Sequence, residues 1–307
     1  MTRRIVLGTI LVVGVLSLTA VAVQQPPKPS ANAIKVQKLK DNLYVLNALA
    51  AGAGGNTSVF ITTNGVVVVD TKNPGWGQPL LDKIKTLTNK PVTMIINTHT
   101  HGDHVSGNVE FPATVDIVVQ DNTKVNMEKM DIFKQNNGRG LPAHTFKEKM
   151  TIGKGADQID LYYFGPGHTN GDAIVVFPTL KTAHVGDLFA RKGMPLVDGN
   201  NGGSVLQYPE TLNKAYKGIK NVETIINGHM PTTTTWADLK TYAEFNQDFL
   251  TWAQSAVKAG KSPKDVAPDW KVPAKYEAMG YTLNAPTPEN LADIERRVQR
   301  LTDEMKK

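Results

Sequence analysis

Cysteine is absent from all 307 residues, so no disulfide braces this fold and no lipobox thiol can carry a lipid. Concentrated charge of one sign is missing as well. The chain has 34 basic and 28 acidic residues, a formal +6. That falls to +4 (6 − 2) once Arg3 and Arg4 leave with a leader. The lysines are scattered singly, which describes a solvated basic surface and not a nucleic-acid footprint, so no nucleic-acid partner is expected. What is present is ordinary for a globular protein, 40% apolar and 20% charged. Without a leader roughly 280 residues remain, enough for one large domain with a substantial core.

The N-terminus reads as a targeting segment. Arg3-Arg4 form a positive n-region, Ile5 to Val23 is apolar, and Ala20-Val21-Ala22 fits the small-x-small cleavage rule. Residues 1–22 are therefore expected to be a signal peptide and residues 23–35 a linker, Pro-rich from Gln24 to Ser30. An uncleaved anchor is the competing reading, because the nineteen residues from Ile5 to Val23 just span a bilayer. The leader would then be the only membrane contact. The small-residue site and the linker favour cleavage, giving a mature protein in the periplasm or secreted.

Chemistry is concentrated in His99-Thr100-His101-Gly102-Asp103-His104, three imidazoles and a carboxylate in six residues. The segment follows the apolar run Met94-Ile95-Ile96, so it sits at the C-terminal end of a buried strand. In extended backbone His99 and His101 project to one side. A turn at Gly102 then swings Asp103 and His104 toward a second centre close to the first. Nitrogen and oxygen donors of this kind suit two borderline dications. A lone histidine is usually structural, but this density and geometry point to a metal site.

Strand and helix signals interleave elsewhere. Leu43–Leu46, Ser58–Ile61, Val66–Asp70, Val92–Ile96, Ile117–Gln120, Ile159–Tyr163, Ala173–Phe177, Thr182–Val185 and Val222–Ile226 read as strands, the last of these closing the series. Leu80–Leu87, Asn122–Phe133 and a segment starting at Pro209 read as helices. Residues 36–234 form the main domain, and residues 235–307 a helical extension of it. Leu291, Ile294, Val298, Leu301 and Met305 make an amphipathic stripe with Thr287 as N-cap and Pro288 at N1. Packing onto its own domain is the default for such a helix, a dimer seam the alternative. Trp236, Leu239, Phe245, Phe249 and Trp252 recur on one face of the preceding helix, either as core or as an overhang above a site.

The six-residue segment resembles the HxHxDH signature of the metallo-β-lactamase superfamily, and further marks follow in family order. These are Gly165-Pro166-Gly167-His168-Thr169, Gly186-Asp187, Gly228-His229, and the earlier Val67-Val68-Val69-Asp70. The resemblance covers roughly residues 42 to 250. It implies an α+β fold, the four-layered αββα sandwich, here with a C-terminal helical extension. It also implies two zinc ions per chain, one on His99, His101 and His168, the other on Asp103, His104 and His229. Asp187 would be shared between them. Asp187 and Asp103 are the catalytic candidates, Asp187 for spacing the ions and Asp103 for orienting the attacking water. Asp70 is expected to support a ligand, while Thr169 and Asp172 are expected to cap strand ends. His144 is expected to be exposed and His184 to be core. Arg191 and Lys192 follow Asp187, where the β-lactamases proper grip a substrate carboxylate, but the register differs and an exposed basic loop is as good a reading. Val197 to Ser204 resembles the VDxxxGGS stretch of exported members, with Asn200 or Asn201 as an oxyanion donor.

Departures narrow the function. The commonest zinc β-lactamase class has cysteine where Asp187 stands, which puts efficient β-lactam hydrolysis in doubt. Export counts against glyoxalase II, and His101 against the flavodiiron pattern. The expected activity is an exported dinuclear zinc hydrolase of a small ester, lactone or amide, with β-lactams within range. An iron-dependent redox enzyme resembling the persulfide dioxygenases is the alternative. Those use only part of the ligand set, so His104 and His229 favour hydrolysis.

Overall fold

The computed structural model describes residues 29–48, 52–282 and 288–306. The expected signal peptide, the linker up to residue 28 and the Thr287 cap lie outside the described residues.

Two sheets face each other. The first runs in the order β1 (Ile34–Lys40), β2 (Leu43–Ala48), β3 (Thr57–Ile61), β4 (Val66–Val69), β5 (Val92–Ile96), β6 (Asp116–Gln120), β7 (His144–Phe146). Its first four strands pair antiparallel and the remainder parallel. The second sheet contains β8 (Lys149–Ile152), β9 (Ile159–Tyr162), β10 (Ile174–Phe177), β11 (Thr182–Gly186), β12 (Thr224–Asn227) and β13 (Thr234–Thr235), again in chain order. Only β11 and β12 pair in parallel there.

Side-chain alternation explains the layering. All four valines of β4 are buried. Val67 and Val69 join Phe60, Ile96, Leu161, Val175 and Phe177 between the sheets, while Val66 and Val68 face the opposite way. That outer face is covered by Leu80 and Ile84 of α1 (Gly77–Lys85), and by Met127 and Phe133. One turn of helix, α2 (Gly102–Val105), carries part of the histidine segment. Met127 and Phe133 belong to α3 (Asp121–Met127) and α4 (Asp131–Gln135). A single helix expected over 122–133 is thus two, because the backbone at Met130 is extended (φ −75°, ψ 134°).

The second sheet's outer face carries α5 (Tyr208–Gly218), α6 (Trp236–Lys258), α7 (Pro263–Val266), α8 (Ala274–Glu277) and α9 (Pro288–Met305). The αββα sandwich is therefore present, with the expected helical region at its C-terminus. A capping box starts α6, in which Thr235 and Asp238 exchange side-chain and backbone hydrogen bonds. Ile294, Val298 and Leu301 of α9 are buried against Leu239, Phe245 and Phe249 of α6, so the stripe packs on its own domain. The extension is broken between helices, with non-helical backbone at Trp270–Pro273. Strands β1, β7, β8 and β13 escaped the sequence pattern: they are short or at sheet edges, and only half-buried. Accordingly β13, and not the strand before it, ends the series, and β1 starts at Ile34 within the expected linker. Among the described residues no helix is long and apolar enough to cross a membrane.

Candidate metal centre

Strands end where the chemistry begins. His99, His101, Asp103 and His104 follow β5 of the first sheet, His168 lies between β9 and β10, and Asp187 and His229 follow β11 and β12. The cleft is therefore supplied from both sheets, at one end of the sandwich. All seven expected donors converge in two groups, His99, His101, His168, Asp187 and Asp103, His104, His229, with donor atoms inside each group within 4.8 Å of one another. The groups adjoin. His229 Nε2 is 3.2 Å from an oxygen of Asp103 and 3.2 Å from one of Asp187. Asp187 also lies 3.7 Å from His168 Nε2 and 3.4 Å from His104 Nε2.

Each imidazole of the first three positions, and His104, has one nitrogen hydrogen-bonded to a group outside the donor cluster, and its other nitrogen faces the cluster. Leu196 O can only accept, so His168 Nδ1–H donates to it at 2.8 Å and Nε2 keeps its lone pair. His104 Nδ1–H donates to Asp70 Oδ2 at 2.7 Å. Asp70 also takes the Thr98 N–H and hydroxyl. With its hydrogen committed there, the Thr98 hydroxyl accepts from His99 Nδ1–H at 3.0 Å. His101 is reversed: its Nε2–H donates to Asp198 Oδ2 at 2.7 Å, leaving Nδ1 toward the centre, 2.8 Å from His168 Nε2. Such outer partners fix ring orientation and tautomer.

Two observations fit this donor set to metal ions. His99 Nε2 and Asp187 Oδ1 are fully buried yet have no hydrogen-bond partner among the described residues, and unsatisfied buried polar atoms are costly. A neutral nitrogen and carboxylate oxygen left free in one cluster are what a borderline dication takes. Close approach is provided by glycine. A Cβ on Gly228 would overlap Asp187 Oδ1, and one on Gly55 would overlap the His104 ring.

Proton affinities divide the rings. Burial, reinforced by neighbouring imidazoles, holds His99 well below the usual histidine value. Burial pushes His168 down to about 4. Burial also opposes charge on His104 and His229, but Asp187, with Asp70 or Asp103, outweighs it. His104 is raised well above its ordinary value and His229 to about 9. Burial favours the neutral form of Asp103 and Asp187 too, yet the same histidines hold Asp103 at about 2 and Asp187 well below the carboxylate range.

Other residues fall outside the cluster. Asp70 supports His104 as expected. Asp172 accepts from the Thr169 N–H and hydroxyl, so both shape the turn after His168. Burial raises Asp172 to about 7. His184 is a core residue bonded to Ser58, and His144 is exposed. Lys192 pairs with Asp238 at 2.9 Å and donates to Met279 O, which ties it away from the cleft. Arg191 is exposed and lines the cleft with Ala190, Met194, Leu196 and Tyr242, around a cavity of about 200 Å³. The Asn201 side chain donates to Asp198, which commits it to the loop and not to an oxyanion.

Three residues with structural bonds to the site were not singled out from sequence. Asp198 holds His101. Tyr208 donates to the carbonyls of Asp187 and Leu188. Lys72 is fully buried, donates to Gly55 O and is pushed down to about 7 by burial. Asp198 stands in a Gly/Asn loop whose partner is 97 positions away, so no local spacing marks it. For Lys72 the one signal is its place two residues beyond Asp70. On α6, Phe245 and Phe249 are core, and Tyr242, also buried in that core, contributes to the floor of the cleft.

Comparison with known proteins gives a consistent result. A family model described as the metallo-beta-lactamase superfamily matches residues 51–240. A metallo-beta-lactamase type 2 of Elizabethkingia meningoseptica is 27% identical over 269 residues, which cover 84% of this chain and 99% of that protein. A hydroxyacylglutathione hydrolase of Crocosphaera subtropica is 28% identical, over 67% of this chain and 75% of its own length. Among solved structures, a metallo-beta-lactamase from Pontibacter korlensis superposes with a TM-score of 0.57 at 21% identity, over 70% of this chain and 99% of its own.

Proposed function

This chain belongs to the metallo-β-lactamase superfamily of metal-dependent hydrolases, and from that premise we propose that it is an exported dinuclear zinc hydrolase of small esters, lactones or amides. The observation that carries the reading is the complete seven-residue donor set, in two groups joined by Asp187. Seven donors are too many for one tetrahedral zinc, and a closed structural site needs no shared carboxylate. An intact second group, with His104 and His229, favours hydrolysis over the iron-dependent redox alternative. Export rests on the leader pattern of residues 1–22.

When bound, a pair of dications lowers the pKa of a shared water toward neutrality and stabilises developing negative charge. The chain's own contribution is placement. His99 and His168 are held in tautomers that point a lone pair inward, and Asp198 and Asp70 orient His101 and His104 so that the other nitrogen of each faces the cluster. Asp187 is pinned from behind by Tyr208 and faces both donor groups. Asp103 Oδ2, ionised and 3.2 Å from His229, would accept a hydrogen bond from a water in the cleft and orient it. Tyr242, Met194 and Leu196 give the cleft an apolar lining beside the donors.

Substrate preference follows from what surrounds the donors. With aspartate at position 187 and Lys192 tied to Asp238, only Arg191 of the two basic residues faces the cleft. A β-lactam's amide nitrogen needs help in leaving and an anchored carboxylate, whereas an ester alkoxide departs with less assistance. Purified mature protein should therefore contain two zinc ions by elemental analysis. It should turn over lactones or esters with higher kcat/KM than nitrocefin. One iron with little zinc would overturn the dinuclear reading. Nitrocefin exceeding every ester, thioester and lactone would overturn the preference and make Arg191 the first residue to replace.

A further inference from the structure

The C-terminal helix α9 lies outside the donor set, yet three of its side chains hold one loop. Arg297, buried, donates from Nε to Pro195 O. Arg300 Nη2 donates to Gly203 O at 2.9 Å, and its Nε binds Glu304. Glu304 accepts from the Ser204 hydroxyl at 2.7 Å and from the backbone N–H groups of Val205 (3.2 Å) and Leu206 (3.0 Å). Gly199 also packs against the Arg300 guanidinium, where a Cβ would clash. Anchors thus run along residues 195–206, from about 100 positions downstream.

The same loop grips two imidazoles of the candidate metal centre. Leu196 O accepts from His168 Nδ1, and Asp198 Oδ2 accepts from His101 Nε2. Backbone bonds lock loop to ligand further: Asp198 N–H donates to His168 O, and Ser204 N–H to Gly167 O. The loop is also held by the Asn170 N–H, which donates to Asn201 O, and by Val205, which is buried in the core. Residues 195–206 contain no helix or strand, and the Asp198 carboxylate is otherwise held by Asn200 and Asn201 of the same loop.

We propose that α9 is a brace for the metal centre, in which Arg297, Arg300 and Glu304 are positioning residues that hold loop 195–206 so that it presents His101 and His168 in ligating orientation. The proposal rests on the metal-binding reading given above. It assigns to the C-terminal extension a role in setting metal affinity, beyond covering the second sheet.

The test measures zinc affinity by competition with a chromophoric chelator, the visible spectrum of the cobalt-loaded protein, and the melting temperature of the metal-free protein. The unaltered chain is measured first, and must bind two zinc ions. Loss of an outer partner typically weakens metal binding about 10- to 100-fold. Asp198→Ala, the direct contact, should fall in that range, and Glu304→Ala should lose about tenfold at the tighter site with an altered cobalt spectrum. Combined, the two should lose less than the product of the single effects, because both act through one loop. Arg300→Ala, at a partly exposed position, repeats the measurement if Glu304→Ala fails to fold. Unchanged affinity and spectrum in a folded variant, with or without a lower melting temperature, overturns the brace. So does a multiplicative double variant. If the unaltered protein binds no zinc, the metal reading itself fails and the brace falls with it.

Discussion

At the residue scale, the five histidines of the cleft are not equivalent, and their difference has a measurable consequence. In metal-free protein His99 and His168 are neutral near pH 7, whereas His104 and His229 each hold a proton against Asp187 and its neighbours. Zinc entering the first group therefore displaces little proton from these two rings, and zinc entering the second must displace more. For His229 the sign is explicit. Its folded-state value, about 9, lies above the ordinary 6.5. Its contribution to metal-free stability is thus fully present below about 6.5 and lost as pH rises through 9. Over the same interval affinity at the second group should rise, by up to about tenfold per pH unit for each proton displaced. Calorimetric zinc titration at pH 7, in buffers of different ionisation enthalpy, should show the second equivalent releasing more protons than the first. Equal release by both would show that the carboxylates do not hold the protons this way.

At the scale of elements, the active cleft is made by strand ends that approach too closely for side chains. Gly228 follows β12 and has no Cβ to displace the Asp187 carboxylate, while its N–H bonds Gly186 O. Its φ is not in the left-handed region, so the cost of Gly228→Ala is steric: the added methyl meets the Asp187 carboxylate and the Gly186 backbone. The expected outcome is a loss of turnover of at least about tenfold, or 1.4 kcal/mol of barrier, with a smaller change in the melting temperature of the metal-free protein. Turnover equal to the parent's would refute the close fit. Strand ends of this kind are legible in sequence because apolar runs stop at ligand-type residues, as at Ile96, Val185 and Ile226. The HxHxDH segment is legible because four donors lie within six residues. Loop 195–206 is legible as a Gly/Asn stretch similar to VDxxxGGS, but not in what it holds. Its groups act through partners such as His101, His168 and Glu304, and spacing along the chain carries no trace of that. The helix broken at Met130 was hidden for a related reason: no glycine or proline marks the break, which is an extended backbone conformation.

At the scale of the molecule, the donors bridge the sandwich, four following β5 of the first sheet and three coming from the second. A bound ion pair would therefore tie together two layers otherwise joined chiefly by the apolar contacts of Phe60, Val67, Leu161, Val175 and Phe177. Binding only the native state stabilises it by RT ln(1 + [L]/Kd), about 4 kcal/mol when free zinc is a thousand times Kd. At roughly 2–4 °C per kcal/mol for a domain of this size, chelation should lower the melting temperature by about 10 °C, and added zinc should restore it. Asp187→Ala separates the metal from the core. It removes the carboxylate shared by both groups but empties no apolar space, since Asp187 faces the cleft. The variant loses the contacts of Asp187 with His104 and His229, so it should melt modestly below metal-free parent, gain much less from zinc, and lose more than about tenfold in turnover. If it instead melted far below the metal-free parent, Asp187 would be holding the sheets themselves together. If it kept both turnover and the zinc-dependent rise, the shared carboxylate would not be what joins the two centres.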